Sequence, residues 1–249
     1  MSSVSVDQLS PSRLAALLVG VWLCAVLASA PTARAELNIS RFSVTPSTTE
    51  AGGHPNLDVS VAFEPPTADV KDIALHLPAG LTANNRAAPF CSRSTLVGDL
   101  CSLKTKVGSV ALVGEALGIE ATVVRNVYNV RPSGQERLRL GVPLFGSLTR
   151  GGLALTLPVN ARPGDNGLDV AIAGPPREFA GYTVRIKSVT VRFKGMTKRR
   201  IRRTSRPLAF LTNPHSCAPA TTVLEATAYV GPPLQVTQSS TFTPTGCAP

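Results

Sequence analysis

Thiols and imidazoles offer the most chemistry in this chain, and both are scarce: five cysteines and three histidines in 249 residues. Cys91 pairs in sequence with Cys101, and Cys217 with Cys247, while Cys24 stands apart near the N-terminus. If Cys24 leaves with an export signal, an even set remains. In an exported chain that set reads as a disulfide framework, not as thiol catalysis. Four cysteines allow more than one connectivity; local pairing is expected because each pair flanks one loop or hairpin. A zinc site needs tighter spacing than these positions offer.

The histidines lie in unlike settings. His54 sits in the turn Gly52-Gly-His-Pro55, His76 on the polar face of a strand pattern, and His215 in Asn213-Pro-His-Ser-Cys217. A Ser-His-Asp hydrolase needs one of them beside a serine on a tight turn, and no Gly-x-Ser-x-Gly elbow occurs. A glycosidase needs two acids in a cleft, usually with stacking aromatics. Acids are spread out here, and without Trp22 only Tyr128, Tyr182 and Tyr229 remain beside the phenylalanines. Asp165-Asn-Gly-Leu-Asp169 lacks the EF-hand spacing for calcium and reads as a hairpin turn. No catalytic residue, metal or cofactor is therefore expected. A secreted hydrolase with an unrecognised site is the alternative.

The charge balance is basic, 25 Lys+Arg against 15 Asp+Glu. Lys194, Lys198, Arg199, Arg200, Arg202, Arg203 and Arg206 form an acid-free run, preceded by Arg185, Lys187 and Arg192. One reading is a solvated loop whose charge keeps a hairpin from pairing with neighbours. The other is an electrostatic dock for an anionic envelope polymer or lipid headgroups. Nucleic acid is a poor partner, since no aromatic residues interleave with the charges.

The first 35 residues read as a signal peptide. Arg13 precedes the uncharged apolar run Leu14–Ala28, which is short for a membrane span. Ala33-Arg34-Ala35 supplies a small-x-small cut before Glu36, with Ala28-Ser29-Ala30 as the weaker cut and an uncleaved anchor as the alternative. Trp22-Leu23 before Cys24 argues against a lipoprotein anchor. No second apolar run of spanning length follows.

What must position the remaining residues is a set of short strands. Valine, threonine and leucine alternate between abundant proline and glycine turns. Residues 57–63 alternate cleanly, with Leu57, Val59, Val61 and Phe63 inward; 70–77 place Ile73, Leu75 and Leu77 on one face. Residues 38–45 carry Ile39, Phe42 and Val44 only partly in phase. Further strands are expected at 107–114, 120–130, 137–145, 153–159, 168–173, 182–193, 208–212, 221–230 and 234–242. Arg125 and Asn126 suggest a bulge in 120–130. Asp165-Asn166-Gly167 should join 153–159 to 168–173. Ser94–Leu100 is the best short-helix candidate, capped by Ser94. The fold expected over 36–249 is an all-β antiparallel sandwich, immunoglobulin-like, with disulfide-stapled loops. It is one large sandwich or two small ones divided near 140–150, and 194–206 is its least structured stretch.

Several motifs stand in order along nearly the whole region: Ala51-Gly-Gly-His-Pro55, Asp72-Ile-Ala-Leu-His-Leu-Pro-Ala-Gly-Leu81, Pro89-Phe-Cys91 with Cys101, Val107-Gly-Ser109, Val127-Tyr-Asn129, Leu211-Thr-Asn-Pro-His-Ser-Cys217 and Phe242-Thr-Pro-Thr-Gly-Cys247. Together they resemble an uncharacterised domain found, often in tandem, in secreted proteins of high-GC Gram-positive bacteria. The resemblance implies secretion and a β-rich fold, and it transfers no catalytic residues. This chain holds a single copy and is more basic at 194–206. The function expected is a structural or adhesive role in the envelope or outside the cell.

Overall fold

The computed structural model describes residues 37–67, 70–145, 153–174, 177–179, 182–201, 204–229 and 235–247. The export segment with its cut, Cys24, residues 146–150 of the 140–150 division, and Arg202 and Arg203 lie outside the described residues.

Along the described residues run β1 (Ile39–Pro46), β2 (Leu57–Thr67), β3 (Val70–His76), β4 (Thr82–Ala83), β5 (Lys106–Ala116), β6 (Ile119–Val130), β7 (Leu138–Phe145), β8 (Leu153–Ala161) and β9 (Leu168–Ala173). They continue with β10 (Glu178–Phe179), β11 (Tyr182–Thr183), β12 (Arg185–Phe193), β13 (Met196–Ile201), β14 (Thr204–Ala209), β15 (Leu211–Thr212), β16 (Ala220–Ala228) and β17 (Gln235–Phe242). One short helix, α1 (Arg93–Val97), and a 3-10 turn at Leu103–Thr105 interrupt them. With 63% strand against 4% helix, the class is all-β, as expected.

Eleven strands form one sheet in the order β1-β2-β12-β5-β6-β7-β8-β9-β3-β16-β17. Every neighbouring pair is antiparallel. The sheet curls until its edges meet. The amide of Val44 in β1 donates to Ser240 Oγ in β17 at 2.9 Å, a side-chain bridge where a backbone ladder would otherwise close. Leu57, Val59, Val61 and Phe63 all point inward, as their alternation requires. They pack with two cores. One gathers β1 and β2 with the inner residues of β6 to β9, and the other joins β1, β2 and β12 to β3 and β16.

Two local departures have plain causes. A register shift between Ile39 and Arg41 leaves Ser40 as an extra residue, which brings Ile39, Phe42 and Val44 onto one face despite their uneven spacing. The bulge expected near Arg125 lies instead on the neighbouring strand, between Lys106 and Gly108. There a Cβ on Gly108 would come within 2.5 Å of Arg192 O, so only glycine lets β12 approach.

Candidate functional site

The registers send many of the connections out of one end of the sheet. Leu57 pairs with Phe193 and Phe193 with Gly108. Lys106 pairs with Tyr128, Leu138 with Val159, and His76 with Asp169. Loops 47–56, 77–105, 131–137, 162–167 and 194–219 and the segment after Phe242 therefore share that end. Both disulfides, all three histidines and the basic run stand there. The β5–β6 turn at Leu117-Gly118 marks the opposite end.

The basic run is a hairpin rather than a loop. β13 and β14 pair from Met196↔Ala209 to Ile201↔Thr204. Its base is bolted down: Lys194 N donates to Val107 O at 2.9 Å, Gly195 N to Asn56 Oδ1 at 3.0 Å, and Phe210 N to Gly195 O at 2.7 Å. A Cβ on Gly195 would lie 2.1 Å from His54 O, so the hairpin can be rooted so close only with glycine there. Buried Thr197 donates its hydroxyl to Ala87 O at 2.7 Å. Arg199 donates to Arg86 O, which brings a cation into the cluster that lies 113 residues away in sequence. Nothing in the sequence pattern singles out Arg86.

The register sets Arg199 directly opposite Arg206. Like charges so placed repel and destabilise the pairing. Among the described residues, neither they nor Lys194, Lys198 or Arg200 form a salt bridge. Lys194, Lys198, Arg200 and Arg206 are exposed, and Arg199 is half-buried. Elsewhere on this end, three basic groups are matched: Arg192 with Asp58 at 3.3 Å, Arg162 with Asp165 and Asp169 at 2.8 Å, and Arg139 with Glu136. The Arg139 guanidinium holds the Glu136 carboxyl below its usual range. Among the described residues, Arg86, Arg93, Lys104, Arg131 and Arg137 of this end likewise form no salt bridge, and the hairpin is the densest part of that unmatched charge.

The histidines divide the parts of a hydrolase among three places. His76 Nδ1 meets Asp169 Oδ1 at 2.9 Å, and Arg162 Nη1 donates to that same oxygen at 2.8 Å. His54 Nδ1 lies 3.2 Å from both Leu211 O and Thr212 Oγ1. His215 lies against Gly52, where a Cβ would fall 2.7 Å from the ring. Among the described residues, His76 thus contacts an acid without a hydroxyl, His54 a hydroxyl without an acid, and His215 neither.

Asp165-Asn166-Gly167 forms the expected hairpin turn. Asn166 takes φ 55°, Gly167 N donates to Asp165 Oδ1 at 2.9 Å, and Arg162 covers both carboxylate oxygens. The Arg162 guanidinium keeps that carboxyl below its usual range.

No protein-family model, curated protein or solved structure matches this chain. Among the described residues, no helix is long and apolar enough to cross a membrane, and no group of three or more His, Cys, Asp or Glu could hold a metal ion.

Both disulfides take the local pairing. Cys91–Cys101 has a Cα separation of 5.6 Å and Cys217–Cys247 one of 5.9 Å. Each supports a loop that a buried asparagine clasps. Asn129 Nδ2 donates to Asn85 O at 2.8 Å and Ala88 O at 2.9 Å. Asn213 Nδ2 donates to Thr48 O at 2.9 Å and Glu50 O at 3.0 Å. Sequence reasoning passed over both asparagines. Their signal was faint: Asn129 ends the quoted Val127-Tyr-Asn motif, and Asn213 lies just before Cys217.

Proposed function

We propose that this protein works outside the cytoplasm as a non-catalytic structural or adhesive protein of the cell envelope, attached to anionic surface polymers through β13–β14. The observation that carries the reading is the Arg199↔Arg206 register within a hairpin whose described residues form no salt bridge. A fold that tolerates this repulsion, while matching Arg139, Arg162 and Arg192 nearby, keeps the hairpin's charge available for another molecule. Two disulfides, bonds of oxidising compartments, support export together with the N-terminal signal pattern. The division of histidine, acid and hydroxyl supports a non-catalytic role. The resemblance to tandem secreted bacterial domains points the same way.

The test is binding to purified cell wall. Replacing Lys198, Arg199, Arg200 and Arg206 by serine should abolish most binding, since each cation near an anionic surface contributes about 1 kcal/mol. Raising salt should weaken the wild type in the same direction. Retention unchanged by the quadruple substitution would refute the dock.

A further inference from the structure

The same end carries exposed apolar groups that a purely electrostatic dock does not use. Leu100 is 75% exposed and Leu103 71%, on either side of Cys101. They cannot fold back into the core, because the loop that bears them is braced. Cys101 is bonded to Cys91, Leu100 N donates to Thr95 O at 2.8 Å, and Thr105 N donates to Ser102 O at 2.9 Å. Met196, at the root of the basic hairpin, is a further 40% exposed.

Their electrostatic setting is positive. Exposed Lys104 follows Leu103, exposed Asp99 precedes Leu100, and exposed Arg93 opens α1. Leu103–Thr105 leads straight into β5, whose Val107 O accepts from Lys194 N, so the loop and the hairpin are joined at their roots. Arg86, bound by Arg199, lies on the segment between β4 and Cys91. Among the described residues of this end, Glu50 and Asp99 are the acids without a salt-bridge partner. A small rigid apolar projection on an end where basic groups outnumber acids matches the interface of a bilayer with anionic headgroups: charge is attracted to the headgroups and leucine enters the acyl boundary. A soluble anionic polymer would leave the leucines in water.

We infer that this end of the sheet docks on an anionic lipid bilayer, with Leu100 and Leu103 inserted and the β13–β14 cations on the headgroups. The inference rests on the cationic dock of the preceding section and assigns it lipid headgroups in place of a polymer. It is tested by sedimentation with equimolar phosphatidylglycerol–phosphatidylcholine vesicles, with polyphosphate as a soluble anion. Every protein compared carries the same N-terminal segment, so differences report only the loop and the hairpin.

Leu100→Ser with Leu103→Ser should lower vesicle affinity about tenfold and leave polyphosphate binding as in the wild type. Leu103→Trp should raise vesicle affinity, an opposite sign that misfolding would not produce. The quadruple serine hairpin variant should lose affinity for both ligands. If the leucine variant binds vesicles as the wild type does, while the hairpin variant binds neither ligand, the bilayer inference falls and the polymer dock stands. If the hairpin variant keeps both ligands, the dock itself falls.

Discussion

The two disulfide corners use one plan in opposite surroundings. In each, a cystine fastens a segment and an asparagine with no exposure, Asn129 or Asn213, gives its amide protons to carbonyl oxygens of a neighbouring loop. Cys91 and Cys101 are buried among Leu96, Tyr128 and Val130. Leu96 presses so closely on β7 that a Cβ on Gly141 would lie 2.6 Å from it. Cys217, by contrast, is exposed, and its partner Cys247 is half-buried. The first corner is therefore held by packing, with the disulfide closing a 10-residue separation over an apolar cluster. The second is held by hydrogen bonds and by tying a 30-residue separation down in the unfolded chain. A shared motif does not imply a shared source of stability.

The sharpest way to break this comparison is to remove the clasps. Asn129→Ala strands carbonyls that include the buried Ala88 O, each costing about 1–3 kcal/mol without a partner. Asn213→Ala frees the oxygen of half-buried Thr48 and leaves that of exposed Glu50 with the Gly53 amide at 3.0 Å. We expect a loss of about 3–4 kcal/mol for Asn129→Ala and about 2 kcal/mol for Asn213→Ala in denaturant unfolding. Equal losses would mean that burial of the acceptors does not separate the corners.

How much of this was readable beforehand depended on distance along the chain. The Asp165-Asn166-Gly167 turn and the alternation in β2 act within a few residues, and the cysteine pairs each flank one loop or hairpin, so the sequence shows them. The cap of α1 was misplaced by two positions. Ser92, not Ser94, accepts from Thr95 N at 3.2 Å, and the helix starts at Arg93. Both serines satisfy the local preference, and tertiary placement of Leu96 chooses between them. The hairpin at 194–206 looked unstructured because charge outweighed its alternating pattern. It is fixed from afar, by Thr197 reaching Ala87 and by Gly195 touching His54. The clasping asparagines were illegible for the same reason: an asparagine's partners 40 or more residues away leave no local trace.

A second separation of the corners is chemical. Thiol–disulfide exchange needs access for the attacking thiolate. Under a mild reductant with alkylating label, Cys217 and Cys247 should react at least about tenfold faster than Cys91 and Cys101, read by peptide mass mapping. Simultaneous labelling of all four would show that the apolar cluster does not shield its cystine.

The smallest effect concerns pH and reaches only the first corner. Arg137 O accepts from Asn85 Nδ2 at 2.9 Å, so the 131–137 turn props the loop that Asn129 clasps. Glu136 holds that turn by accepting from Ser133 N at 3.0 Å and from Arg139 Nε at 2.8 Å. The Arg139 bond is the main reason its folded pKa lies below the ordinary glutamate value, with burial opposing. A carboxylate whose folded pKa is depressed adds stability above its unfolded pKa and loses it as pH falls through the folded one. Glu136→Gln should therefore lower stability at neutral pH by about 1 kcal/mol and make little difference in strong acid, where both chains lack the charge. Melting curves of the two proteins should converge as pH drops below the usual carboxylate range. If the gap persists there, the turn is held by shape and not by the carboxylate. The first corner would then owe nothing to charge, and its contrast with the second would reduce to packing alone.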